Sequence, residues 1–207
     1  MFEPVQQLTA FAGIAAFALT MVVIPLFFVH AGPPPARNVL TRVLVNMLVT
    51  VSLLIFLTGF RELVIQARPD YKWQGTLSLV IGMATVILVM VADSIQVGSV
   101  LGKEQNIDPT TLGSGGEAAL LIWGPLSRLL TATLLIVAGS AILATGITPT
   151  WSAWLAYGVA AFHLALVPTI FGRTDPAHFY SINGWGIPVA GGLFLTWVLT
   201  VSVLLLL

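Results

Sequence analysis

Asp93, Arg128 and His163 are an acid, a fixed cation and a base, and each lies inside a long apolar run. Asp93 sits in VMVADSIQVG, Arg128 in WGPLSRLLTATLL and His163 in VAAFHLALVP. An ionisable side chain at the centre of a membrane helix costs at least about 2.5 kcal/mol and usually faces the bundle interior or a wet cavity. Together the three could move protons. Asp93 would serve as general acid or base and His163 as the complementary carrier. Arg128 would orient Asp93 or stabilise developing negative charge. That is the chemistry of an isomerisation, cyclisation or hydration, and it calls for no metal.

Such residues need a scaffold, and the composition says which kind. Hydrophobic residues make up 57% of the 207 and charged residues only 8%, with a mean hydropathy of +1.00. A water-soluble domain is about 25% charged, so this chain is an integral membrane protein. Net charge is zero and no basic run occurs, which argues against nucleic acid as a partner. The chain has no cysteine, so disulfides, thiolate metal sites and a cysteine nucleophile are excluded. The N-terminal MFEPVQQ carries Glu3 and no Lys or Arg, unlike a secretory signal, so the first apolar run is expected to be a retained helix.

A bilayer core takes roughly 20 apolar residues per helix, and the chain holds six such runs. They are expected at about 8–29, 39–60, 76–100, 118–143, 151–171 and 184–206. The expectation is an all-α polytopic protein, one transmembrane domain over 1–207, with several proline kinks. Six spans put both termini on one side, called side A here; side B holds the 1–2, 3–4 and 5–6 loops. Arg37, Arg42, Lys103 and Arg173 fall on side B, against Arg61, Arg68 and Lys72 on side A. The positive-inside rule needs an imbalance, so the orientation stays open. Tyr71, Trp73, Trp123, Trp151, Trp154, Tyr180 and Trp185 lie near span ends, as an aromatic belt predicts.

On these spans the three ionisable residues share a level. At about 1.5 Å per residue, Arg128 lies about 15 Å from side B, Asp93 about 10 Å and His163 about 12 Å. Asn46 of the second span falls near that level, one turn below Arg42. Gly124, Arg128 and Thr131 share one stripe of span four, and Asp93 and Gln96 share a face of span three. Pro25, Pro125, Pro168 and Pro188 all fall in side-B halves, and proline inside a helix removes a hydrogen bond and bends it. A polar side-B cavity is therefore expected. Its substrate-binding candidates are Asn46, Gln96, Trp123, Thr131, Tyr180 and Trp185, with His178 and Asn183 at its mouth.

Plainer roles exist for the same residues. An Asp93–Arg128 pair could be interhelical glue, and His163 could be a hydrogen-bonded core histidine. Arg61 and Glu62 end span two near the side-A interface; Arg42 and Glu117 are likewise expected at an interface, Glu117 being well placed at a helix N-terminus. One transmembrane histidine is too few for a bis-histidine haem or a metal centre, and no lysine inside a span could carry a retinal Schiff base. No cofactor is expected.

Residues 118–171 include LLIWGPLSRLLTATLLIVAGSAILATGITPTWSAWLAYGVAA. A glycine-bearing span, a short G-x-x-P turn and a W-x-x-W-L start resemble uncharacterised small bacterial membrane proteins of six helices. The resemblance implies an architecture and nothing else; the expected location is a bacterial inner (plasma) membrane. Paired D-x-x-x-D, histidine boxes, G-x-S-x-G and H-E-x-x-H are all missing. The leading functional expectation is an intramembrane enzyme for a small lipophilic substrate: an isoprenoid, a quinone or a sterol-like ring. Trp123, Tyr180 and Trp185 could then shield a cationic intermediate. A proton-coupled transporter, helped by homo-oligomerisation, and a structural assembly subunit are the alternatives. Membrane lipids surround the protein in every case.

Overall fold

The computed structural model describes residues 3–27, 29–30, 34–101, 118–172, 178–182 and 184–207, without the side chain of Ser99. Among them six helices are long and apolar enough to cross a membrane: α1 (Glu3–Leu26), α2 (Ala36–Ala67), α3 (Lys72–Val100), α4 (Ala118–Thr145), α5 (Thr150–Ala165) and α6 (Gly186–Leu206). The protein is an all-α, six-helix membrane bundle. Helices suit such sequences because a lipid-facing backbone must satisfy its hydrogen bonds within its own segment. Accordingly Leu8, Phe11, Leu44, Val51, Ile87 and Leu129 point outward.

α2 runs further than its apolar stretch. Its 32 residues extend about 48 Å at about 1.5 Å each, against a hydrocarbon core of about 30 Å. More than half of the surplus is the RELVIQA segment, rich in helix formers, which carries the helix past Phe60 into the side-A interface. It stops at Arg68, whose extended backbone is what a following proline imposes. Two contacts anchor this end to its neighbours: Arg61 Nε to Thr76 Oγ1 at 3.3 Å and Arg68 Nη1 to the Ala144 carbonyl at 3.3 Å.

Each helix packs against its neighbours in sequence, and α6 returns to α1, so the six form a closed ring. Small residues let the backbones approach, as packing in lipid requires. A Cβ on Gly59 would lie 1.8 Å from Thr9 Oγ1, and one on Gly13 would lie 1.9 Å from Ser202 Oγ. These two glycines set the α1–α2 and α1–α6 spacings. Phe56, Phe60 and Trp197 fill the centre with ring centroids 6.3–6.4 Å apart. The Trp197 indole N–H donates to the Ser152 carbonyl at 3.2 Å, tying α6 to α5. Gly146, at φ 69°, ends α4 in the left-handed conformation that glycine adopts without strain.

The four prolines act in different ways. Pro188 lies in the first turn of α6, where a missing N–H has least effect, and Pro25 lies in the last turn of α1, where it withholds one N–H from the carbonyl a turn earlier just as the helix ends. Pro168 belongs to a 3-10 segment, Val167–Phe171, that closes α5. Pro125 alone sits mid-helix within a wide turn, Ile122–Leu126, whose Gly124 has φ −83° and ψ −112°.

Candidate functional site

The wide turn in α4 is built by its sequence. Pro125 has no N–H to bond back to Leu121, and the next bonds open from the α-helical to the wider i−5 pattern. The Ser127 backbone N–H reaches the carbonyls of Gly124 and Ile122, and its hydroxyl donates to the same Ile122 oxygen at 2.5 Å. Arg128 then turns back on its own helix, donating from Nη2 to the Trp123 carbonyl at 3.1 Å. Trp123 and Arg128 are five apart, the same reach as the opened turn. One role of Arg128 is thus local: it satisfies a carbonyl that the Gly-Pro break has freed.

Asp93 is almost wholly buried, at 3% exposure, and its Oδ2 accepts from Asn46 Nδ2 at 2.5 Å. The Trp123 indole N–H also acts on this carboxylate but falls short of a formed hydrogen bond. The direct Asp93–Arg128 bridge expected of interhelical glue does not form. Arg61–Glu62 is the ion pair found among the described residues. Asp93 is held by the neutral Asn46 amide, and Arg128 by a carbonyl.

His163 is fully buried, and its Nε2 lies 3.0 Å from the Ala190 carbonyl of α6. A carbonyl only accepts, so Nε2 carries the hydrogen and Nδ1 is left as the second position. Arg128 lies on α4, the helix packed against α5. A layer of polar groups therefore recurs on five packed helices: Asn46 of α2 bonded to Asp93 of α3, Trp123 and Arg128 of α4, and His163 of α5 bonded to the Ala190 carbonyl of α6.

Three buried atoms in this layer have no hydrogen-bond partner: Arg128 Nε, Trp123 Nε1 and His163 Nδ1. Buried polar groups are rarely left unpaired, so three in one layer mark it as a place where polar contacts remain to be made. Two are donors. The third, Nδ1 of a neutral ring protonated at Nε2, is an acceptor.

The remaining candidates divide. Thr131 is buried on the Arg128 face of α4, and Gln96 is half-buried on α3. Tyr180 is half-exposed, and its hydroxyl donates to the Ala165 carbonyl at 2.5 Å, fastening the 5–6 loop to the end of α5. Trp185 is half-exposed immediately before α6, and His178 is exposed. Asn183, Glu117, Lys103 and Arg173 lie outside the described residues. In front of Gly124 the space is already taken by Ile182 and Ile187, each about 3.7 Å from where a Cβ would sit.

Some contributors carry no sequence signal. The Ala190 and Trp123 carbonyls act through the backbone, and only the Gly-Pro pair marks where a carbonyl is freed. Nearer side B, Asn38 Nδ2 donates to the Leu26 carbonyl at 3.0 Å, and Arg42 lies over the Phe27 ring at 4.3 Å, joining α2 to the end of α1. A shallow open groove lies elsewhere, on side A, lined by Asp70, Lys72, Trp73, Thr76, Leu77 and Val80. Val80 is 13 residues before Asp93 on the same helix, about 20 Å away at about 1.5 Å per residue. Among the described residues no three His, Cys, Asp or Glu side chains come together as metal ligands.

No protein-family model, curated protein or solved structure matches the chain.

Proposed function

We propose that the protein is an intramembrane enzyme that binds a small lipophilic substrate at the polar layer and acts on it by proton transfer. Asp93, His163 and Arg128 are its working groups. The observation that supports this is the separation of Asp93 from Arg128, with unpaired polar atoms left beside them. A layer serving only as glue would bring the two charges together and leave nothing buried unpaired. Here Asn46 occupies one carboxylate oxygen of Asp93 and leaves the other for a proton. His163 offers Nδ1 as a second proton site, and Arg128 supplies fixed positive charge against an oxygen that becomes negative. The setting that goes with this reading is a bacterial plasma membrane.

A proton-coupled carrier uses the same residues, with the wide turn of α4 as its moving part. The two readings separate on products. Lipids from cells with and without the protein are compared by chromatography and mass spectrometry. The enzyme yields a new apolar compound, an isomer or hydrate of one already present. Asp93→Asn should abolish that compound while the protein still purifies as a folded species. Lipid profiles that do not differ between wild type, Asp93→Asn and empty cells would rule the enzyme out.

A further inference from the structure

The unpaired atoms also narrow the substrate class, on the footing that the layer is the binding site just proposed. Arg128 is a guanidinium at 6% exposure, with no carboxylate within ion-pair distance among the described residues. Its Nε–H has no partner, and Nη2 gives Trp123 only one of its two hydrogens. The edge of the fork that ordinarily grips an oxygen is half unoccupied. His163 is fully buried on the neighbouring packed helix α5, and its unpaired Nδ1 accepts a hydrogen bond.

Of the three substrate heads that fit lipophilic proton chemistry, a cation, a full anion and a neutral oxygen, the layer discriminates clearly. A carbocationic intermediate of prenyl chemistry would form beside a guanidinium with no directly bridging carboxylate among the described residues, which disfavours it by repulsion. A full anion would leave the layer, formally balanced by one Asp and one Arg, with net negative charge in a low-dielectric site. A neutral oxygen suits both unpaired atoms, since it accepts from Arg128 Nε–H as a carbonyl and, once protonated, donates to His163 Nδ1. We infer that the layer takes a lipophilic carbonyl compound of the quinone or enone kind, its oxygen held between Arg128 and His163, and that it excludes prenyl cations.

The reaction then balances without a co-reactant. A base of the layer takes a proton from an sp3 carbon conjugated with the carbonyl, the α-carbon of a β,γ-enone or the side-chain carbon attached to a quinone ring, and the C–H electron pair moves through the π system onto the oxygen. Arg128 Nε–H holds that oxygen while the proton is returned at a different carbon. The product is an isomer of the substrate.

Three probes test this on the whole protein in lipid nanodiscs: decylubiquinone, decyltrimethylammonium and decylbenzene. Decylubiquinone should bind at least about tenfold tighter than either of the others. Its carbonyl stretch should shift to lower frequency on binding, as read by isotope-edited infrared difference spectroscopy. Arg128→Lys keeps the charge but has no Nε–H, and should erase the shift. Arg128→Gln tests the same point without the charge, and His163→Gln should weaken binding of the reduced, hydroxyl-bearing probe more than that of the quinone. The inference is overturned if the cation binds as tightly as the quinone, or if the carbonyl shift persists in both Arg128 variants. If a non-carbonyl probe binds and loses affinity in these variants, the head class is wrong and the layer is still the site. If no affinity responds to Asp93, Arg128 or His163 substitution, the layer is not the site.

Discussion

At the scale of single residues, the layer shows how two opposite charges are kept apart. Asp93 takes its hydrogen bond from Asn46 on α2, while Arg128 closes on a carbonyl of its own helix. Removing one partner of a buried, hydrogen-bonded carboxylate costs about 1–3 kcal/mol. Asn46→Leu should therefore lower the thermal midpoint of the detergent-solubilised protein by several degrees. The exchange Asn46→Asp with Asp93→Asn restores the bond with its ends reversed, and should recover that stability but not turnover. An exchanged protein no more stable than Asn46→Leu would show that the bond is not what holds this pair of helices.

At the scale of elements, α4 is the piece on which the others converge. Its wide turn holds one residue more than a regular α-helical turn, so everything before it is rotated by about 100° relative to Arg128. That rotation is what brings Trp123 toward α3 while Arg128 faces α5. Pro125→Ala restores an N–H and lets the turn tighten, so amide exchange over 118–128 should slow by about tenfold. Exchange as fast as in the wild type would mean that packing against the 5–6 loop, through Ile182 and Ile187, sets the turn. Close packing matters equally at α1. Gly59→Ala places a methyl 1.8 Å from Thr9 Oγ1 and should destabilise by at least about 1–3 kcal/mol, the range for overpacking. Gly98→Ala faces open space and should leave the unfolding midpoint unchanged.

At the scale of the whole molecule, six spans in a closed ring put residues 68 and 150 on one side of the membrane and residue 30 on the other. With no cysteine in the chain, Arg68→Cys, Thr150→Cys and His30→Cys can each be labelled alone. In sealed vesicles of one orientation, an impermeant thiol reagent should modify the first two together and His30→Cys separately, or the reverse. Equal labelling of all three would break the topology. The same experiment fixes the orientation, which the near-equal division of Lys and Arg leaves open.

Much of this architecture was legible in the residues themselves. Six apolar runs of bilayer length, bounded by the prolines and polar loops, determine six spans, because hydropathy and backbone satisfaction act locally along the chain. The common depth of Asp93, Arg128 and His163 follows as well, from helical rise alone. Where each side chain finds its partner does not. Opposite charges at one level suggest a bridge, but the rotation at Pro125 and the freed Trp123 carbonyl turn Arg128 aside, and Asn46 reaches Asp93 instead. Tyr180 likewise reads as a substrate-binding candidate, and the fold sets its hydroxyl on the Ala165 carbonyl. Depth is a property of one helix. Partnership depends on the rotation of two helices about their axes and on backbone carbonyls that carry no sequence signature, and only the packed ring decides it.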